Sequence, residues 1–195
     1  MAIKIILFGL PGSGKDTQAE SLAGKFGIPT FSAGDLLRKE ARSGSELGRL
    51  IAPYLERGEI VPNGVAGNIM RLQIQDPNVQ RTGYVSVNYP RSRDSFKRYL
   101  EWDHPTAVII LDVPDETARQ RLLARGRSDD TEETIARRIK NYRETNVPLY
   151  EWLNTTDIPT FHFDGTKSAE TITDEIKKVV SQISGVWIDS RRLFC

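Results

Sequence analysis

The feature that most constrains the fold is a glycine-rich segment near the N-terminus, Gly9-Leu10-Pro11-Gly12-Ser13-Gly14-Lys15-Asp16-Thr17. It follows the apolar run 3–8 and precedes helically spaced apolar residues that continue to Phe26. A buried strand, a glycine-rich turn and a helix start follow one another, as in a phosphate-binding loop. The glycines let backbone N–H groups approach an anion, and Lys15 adds a full positive charge. Where the motif G-x-x-x-x-G-K-[ST] has a hydroxyl, this chain has Asp16.

Composition excludes several classes of protein. The chain has 195 residues and a net charge of +1, so we expect a single well-buried core and neither nucleic acid nor a membrane as partner. The one cysteine, Cys195, can form neither an internal disulfide nor a cysteine zinc cluster, which predicts a cytoplasmic protein without zinc. The run 3–8 is too short for a signal peptide or a membrane span. We expect a monomer.

Short apolar segments alternate with helical patterns along the chain. Strands are predicted at 3–8, 29–31, 83–89, 107–113 and 159–163. Helices are predicted at about 14–26, 35–42, 46–56, 63–72, 92–102, 114–125, 131–152 and 168–183. This alternation predicts a doubly wound α/β domain, a five-stranded parallel sheet with helices on both faces that binds ligands at the carboxyl ends of its strands. The three helices from 35 to 72 form a helical insertion, and the tail 185–195 has no clear period.

Basic side chains fall near the predicted ends of strands and helices that flank one edge of the sheet. They are Arg38, Arg91, Arg121, Arg125, Arg127 and Arg138. A clamp of this kind suits phosphoryl transfer, because the transition state spreads negative charge over several oxygens and catalysis consists mostly of positioning and neutralisation. Asp129 and Asp130 stand at a helix start, where we expect them to cap its N-terminus; the functional interpretation is that they also organise the arginines.

Together these motifs resemble the nucleoside monophosphate kinases of the adenylate kinase type. The matching pieces are 9–17, 32–38, 58–62, 89–91, Arg121, Arg125, 127–130, Arg138 and 165–167, and they span the chain from residue 3 to about 183. The resemblance implies a P-loop NTPase-type core, a helical insertion at about 32–61 that binds the monophosphate, and a minimal lid at about 125–130. It also implies ATP, a nucleoside monophosphate and Mg²⁺ as ligands.

The same resemblance implies roles for individual residues. The implied catalytic residues are Lys15, Arg91, Arg127 and Arg138. The implied ATP-binding residues are Gly12, Ser13, Gly14, Lys15, Asp16, Thr17, Arg121, Arg125 and Gly165. The implied monophosphate-binding residues are Ala33, Arg38, Ile60, Val61, Arg91, Ser95, Arg127 and Arg138.

The chain departs from the family pattern at five places. Asp16 replaces a Gly, Val87 replaces the Asp that orients Mg²⁺ through water, Ala33 replaces a Thr, Ser95 replaces the Gln that reads adenine, and only Gly126 separates Arg125 from Arg127 in a very short lid.

These departures leave alternatives open. Asp16 either holds water on Mg²⁺ in place of the carboxylate missing at Val87, or it points away and only stabilises its helix N-terminus by about 0.3–1 kcal/mol. AMP is the expected acceptor because it is the commonest in the family, with UMP or CMP as the alternative suggested by Ala33. A nucleotide-binding module with little catalysis is the alternative to a working kinase.

Overall fold

The computed structural model describes residues 2–57, 59, 61–127 and 130–185. The strands are β1 (Ile3–Gly9), β2 (Thr30–Ser32), β3 (Gly83–Val87), β4 (Ala107–Asp112) and β5 (Thr160–Asp164). The helices are α1 (Lys15–Phe26), α2 (Ala33–Arg42), α3 (Glu46–Glu56), α4 (Asn63–Ile74), α5 (Pro77–Thr82), α6 (Arg93–Leu100), α7 (Asp115–Arg125), α8 (Glu132–Leu153) and α9 (Ala169–Ser184). Gly58, Ile60, Ser128, Asp129 and the tail 186–195 lie outside the described residues.

The five strands form one parallel sheet in the order β2-β3-β1-β4-β5, which confirms the predicted doubly wound α/β fold. Strand β1 is central, and Ile5 is aligned with Val85 on one side and with Ala107 on the other. Its side chains are almost all buried, because a parallel sheet carries helices on both faces. The predicted single core therefore divides into two layers.

Alternate side chains of β1 enter these two layers, as the two-residue repeat of a strand requires. Ile5 and Leu7 pack against Leu22 of α1 and Ile176 of α9 on one face. On the other face, Phe8 lies in a cluster with Phe96 of α6 and Leu149 of α8, and many aromatic side chains join them. The helices thus hold the carboxyl ends of the strands at a single edge.

The segment between β2 and β3 contains four helices, one more than predicted. The additional helix, α5, has only six residues and no apolar period, which explains why the hydrophobic pattern did not indicate it. A signal was nevertheless present, since Asp76 accepts hydrogen bonds from the N–H groups of Asn78 and Val79, and Pro77 stands at the first helical position. A separate apolar cluster of the insertion comprises Leu37, Ile51, Val61 and Ala66.

Two helix starts near the expected site are set by hydroxyl caps. The hydroxyl of Ser32 accepts from the N–H of Asp35, so α2 begins at Ala33 rather than at Asp35 as predicted. Thr131 and Thr134 form a capping box at the start of α8. Among the helices of the described ranges, none is long and apolar enough to cross a membrane.

Candidate active site

The loop between β1 and α1 has the form of an anion cradle. Gly12 and Gly14 have φ angles of 85° and 87°, a region that glycine enters without strain. A Cβ atom on Gly12 would collide with the carbonyl oxygen of Ala118 in α7, so the loop also needs glycine for packing. The Ser13 hydroxyl is the one buried side-chain polar atom without a hydrogen-bond partner in the described part of the chain. An unsatisfied donor at this position fits a loop built for an anionic ligand.

Lys15 is the most buried cation of the site, with 5% of its surface exposed. Its Nζ donates to the carbonyl oxygen of Leu10 at 3.3 Å and lies 4.0 Å from the Oδ2 atom of Asp16. Burial lowers the pKa of Lys15; Asp16 opposes the shift, and nearby arginines, Arg125 and Arg91 among them, add to it. A buried ammonium with so few partners is stabilised by an incoming anion.

Six basic side chains reach the cleft in front of this loop. They are Lys15, Arg38, Arg91, Arg125, Arg127 and Arg138. They come from five separate parts of the fold, namely the phosphate loop, the insertion, the end of β3, the end of α7 and helix α8. The carboxylates that line the same cleft are Asp16 and Glu59. The excess of positive charge makes the cleft a site for a polyanion.

Asp130 holds two of these arginines. Its carboxylate, which is covered from solvent, accepts from Nε and Nη2 of Arg125 at 3.0 and 2.9 Å and from Nη1 of Arg138 at 2.7 Å. Burial opposes ionisation, but the hydrogen bonds and charges of Arg125 and Arg138 outweigh it and hold the pKa of Asp130 below its usual value. Of the two roles considered for the acidic pair, the structure gives Asp130 the organising one.

The insertion contributes a second part of the cleft. Arg38 is paired with Asp35 one turn earlier on α2. Burial alone would raise the pKa of Asp35, but the contacts with Arg38 and the Ser32 hydroxyl outweigh burial, so the pKa lies below its usual value. Leu37, Leu55 and Val61 line the same region with apolar surface. Cationic and apolar groups side by side suit a phosphate joined to a flat organic ring.

Arg121 and Gly165 lie together outside the lining of this cleft. Nη1 of Arg121 donates to the carbonyl oxygen of Gly165 at 2.8 Å, and the N–H of Gly165 donates to the backbone carbonyl oxygen of Asp112 at 2.8 Å. A Cβ atom on Gly165 would lie 2.6 Å from a methyl carbon of Val113. This glycine is therefore required for packing between the ends of β4 and β5, whatever it contacts in a ligand.

Ser95, the residue predicted to lie near the acceptor base, is part of a helix cap. Its hydroxyl accepts from the N–H groups of Arg91 and Ser92 at 3.0 and 2.9 Å and donates to the carbonyl oxygen of Ser92. Ser95 is 4% exposed and does not line the cleft, and Ala33 is buried in the core. The structure thus gives Ser95 a positioning function for Arg91, with its hydrogen-bonding capacity used within the cap.

Asp16 and Val87 line the same small hollow beside the cleft. The exposed Asp16 carboxylate therefore lies at the same hollow as Val87, the position at which the family pattern has an Asp. Within the described residues no group of three or more His, Cys, Asp or Glu is arranged to bind a metal ion. A single carboxylate fits a Mg²⁺ ion held through water and phosphates, as this ion commonly is.

Three polar residues that line the cleft, Asn88, Asn141 and Tyr142, were not predicted from the sequence. Asn88 has a φ of 55° and precedes a cis Tyr89–Pro90 bond. In the sequence, only the tripeptide Asn-Tyr-Pro indicated a turn at this position. Asn141 and Tyr142 follow Arg138 by three and four residues on α8, so helical spacing alone could have placed all three on one face.

Comparisons with known proteins identify the family of the chain. The family model described as "Adenylate kinase" matches residues 7–158. The chain is 33% identical over 192 residues to an adenylate kinase of Trichodesmium erythraeum, covering 93% of this chain and 100% of that protein. It is 37% identical over 155 residues to an adenylate kinase of Mycobacteroides abscessus, covering 77% and 85%. The identity to "Adenylate kinase 1" of Synechocystis sp. is 36% over 185 residues, covering 92% and 98%.

Proposed function

The chain belongs to the adenylate kinase family and is a nucleoside monophosphate kinase, a phosphotransferase, and from this premise we propose that it catalyses the Mg²⁺-dependent, reversible reaction of ATP and AMP to two ADP. The observation that carries the proposal is the convergence of Lys15 and five arginines on one cleft that also contains an apolar region. The relatives named above carry the name adenylate kinase, which supports AMP as the acceptor.

In this proposal, an oxygen of the AMP phosphate forms a bond to the γ-phosphorus while the bond from that phosphorus to the β–γ bridging oxygen breaks, and ADP leaves. Lys15 and the loop N–H groups hold the β- and γ-phosphates. Arg38 and Arg91 hold the acceptor phosphate. Arg127 and Arg138 neutralise the equatorial oxygens of the transferring group. Bound Mg²⁺ supplies further neutralisation of the phosphates.

The remaining predicted roles follow from position. We propose that Gly12, Ser13, Gly14 and Thr17 surround the donor phosphates, and that Arg121, Arg125 and Gly165 contact the donor nucleotide from the α7 side. Val61 and Ile60, the latter outside the described residues, are proposed for the acceptor base. The boundaries of the insertion at 32–61 and of the lid at 125–130, the monomeric state and a cytoplasmic location remain predictions, the last supported by the single Cys195.

The acceptor base is tested by a panel of AMP, GMP, UMP and CMP with Mg·ATP in an assay that follows ADP formation. We expect AMP to give a kcat/KM at least about tenfold above the others, which corresponds to about 1.4 kcal/mol of selective binding. Higher activity with UMP or CMP would establish the alternative specificity. No activity with any of the four, in a protein that binds ATP, would favour the weakly catalytic nucleotide-binding module.

The role of Asp16 is tested by ATP binding to Asp16→Gly with and without Mg²⁺. A carboxylate about 4 Å from a phosphate charge is repelled by up to about 4 kcal/mol at an effective dielectric constant of 20, and an intervening cation reverses the sign. We therefore expect Asp16→Gly to bind free ATP more tightly than the unchanged protein does, and to need a higher Mg²⁺ concentration for half-maximal activity.

Glu20→Ala is the matched control for this test, because Glu20 lies one turn further along α1 and lines the same hollow. We expect its binding of free ATP to stay close to that of the unchanged protein. Equal ATP affinities of Asp16→Gly and the unchanged protein under both conditions, with unchanged magnesium dependence, would show that Asp16 only favours its helix N-terminus.

A further inference from the structure

A hydrogen bond joins the acceptor-side insertion directly to helix α8. Nη1 of Arg137 donates to the backbone carbonyl oxygen of Arg57 at 2.7 Å, across 80 positions of the sequence. Nη2 of the same guanidinium donates to Glu133, one turn earlier on α8, at 2.7 Å. The Glu133 contact lies within α8, whereas the Arg57 contact bridges two segments that otherwise approach the cleft from different sides.

The bridge is favourable because it caps the C-terminal end of α3. Arg57 is the C-cap residue of α3, and the last turn of α3 contains no basic side chain of its own. The final carbonyl groups of a helix lack partners within the helix and carry partial negative charge. The side chain of Arg57 itself is engaged with Glu59 at 2.9 Å, so Arg137 is the cation that reaches this helix end.

Both ends of the bridge adjoin residues of the active site. Glu59 lies two positions beyond Arg57 and lines the cleft. Arg138 follows Arg137 on α8 and points into the cleft, where Asp130 holds it. The bond between Arg137 and Arg57 therefore connects the acceptor side of the cleft to the helix that carries Arg138.

We propose that Arg137 is a positioning residue that holds the acceptor insertion against α8, so that this helix closes the cleft in place of a long lid. The segment between α7 and α8 is short, with Gly126 alone between Arg125 and Arg127. The insertion has an apolar cluster of its own and can move as a unit. The assignment rests on the proposed function, because it concerns the acceptor of that reaction.

The kinetic test compares Arg137→Ala with Arg137→Lys, Glu133→Ala and Arg143→Ala. We expect the KM for AMP to rise about three- to tenfold in Arg137→Ala and less in Arg137→Lys, whose ammonium can still donate one hydrogen bond, while the KM for ATP changes less than about twofold. Arg143→Ala is the matched control, since Arg143 is an exposed arginine of α8 that pairs with Asp115 and not with the insertion. Glu133→Ala removes the contact within α8 only.

An equal rise of both KM values in Arg137→Ala, or the same rise in Arg143→Ala, would overturn the assignment. A distance measurement tests it without turnover. Spin labels at Leu50→Cys on α3 and Lys140→Cys on α8, both exposed positions, are read in a Cys195→Ser background. With AMP and a non-hydrolysable ATP analogue, we expect one narrow distance distribution, which becomes broad in Arg137→Ala and stays narrow in Glu133→Ala.

The two measurements separate this assignment from the proposed function. Distance distributions that are identical with and without Arg137 would overturn its positioning role even in an active kinase. An inactive protein whose distribution narrows with the nucleotides and broadens in Arg137→Ala would overturn the proposed reaction and support the role of Arg137 in closing the insertion on α8.

Discussion

Replacing Lys15 by Met is expected to lower kcat by about 10²–10³-fold, the size of effect seen when one preorganised electrostatic donor is removed. The residue is 5% exposed and lines the cleft, in the loop that we propose binds the donor phosphates. Among the residues that the structure describes, its ammonium has only the Leu10 carbonyl and the more distant Asp16 as partners. We therefore expect its charge to stabilise a bound ligand. The measurement is the rate of ADP formation from Mg·ATP and AMP.

We expect the Lys15→Met substitution to lower activity without lowering stability. A desolvated, weakly paired ammonium costs free energy in the folded protein, and methionine has a similar length without the charge. We therefore expect the Tm of Lys15→Met to equal or exceed that of the unchanged protein. Lys25→Met, at an exposed position in the last turn of the same helix, is the control and should keep full activity. A large fall in both Tm and activity would mean that Lys15 has a structural role.

Replacing Asp103 by Ala is expected to reduce the free energy of unfolding by about 3–5 kcal/mol, because it leaves the largely buried ammonium of Lys4 without its ionic partner. The Asp103 carboxylate, with 4% of the side chain exposed, is paired with Lys4. It also accepts from Nε2 of Gln80 at 2.9 Å and from the hydroxyl of Tyr84 at 3.0 Å. Urea unfolding at pH 7 measures the effect, which is a large part of the 5–15 kcal/mol of a typical domain.

The pH dependence of this effect has a definite sign. Burial opposes ionisation of Asp103, but the hydrogen bonds from Lys4, Gln80 and the N–H of His104 outweigh it and hold its pKa below the usual value. A lowered pKa stabilises the folded state above the unfolded pKa of about 3.9, and this contribution is lost as pH falls through the folded value. The difference between Asp103→Ala and the unchanged protein should therefore shrink below about pH 4.

Glu101→Ala is the control for Asp103, since it removes an exposed carboxylate two residues away and should stay within about 0.5 kcal/mol. The Asp103 cluster lies at the amino ends of β1 and β3, opposite the phosphate loop. At a temperature where Asp103→Ala is folded, its KM values should match those of the unchanged protein. A free energy of unfolding that differs by the same amount at pH 3 and pH 7 would contradict the ionic account.

Much of the fold could be predicted from local pattern. Five strands were identified within a few residues of their observed bounds, because buried parallel strands are continuous apolar runs between glycine and proline signals. Helix α5 was missed because six residues bury too little to leave a period. The start of α2 was placed two residues late because the Ser32 cap competes with the helix signal of Asp35.

The sequence indicated some of the residues that line the candidate site but not others. The phosphate loop and the arginines that meet in the cleft were identifiable, since each follows a strand or lies near the segment between α7 and α8. Ser95 was assigned to the acceptor base from its place in the family pattern, whereas its hydroxyl is used by the cap that holds Arg91. A cap and a base contact require the same chemical group, and only the neighbouring backbone atoms distinguish them.

By itself, the sequence determined the chemical class of this protein, because a glycine-rich loop with Lys15 and a set of arginines is sufficient to indicate transfer of a phosphoryl group. The tertiary structure decided which side chains share a partner. Asp130 gathers Arg125 and Arg138, and Arg137 reaches the end of a helix 80 residues away in the chain. Hydrogen bonds and ion pairs act over a few ångströms in space, and the separation of two residues along the chain does not show whether they lie that close.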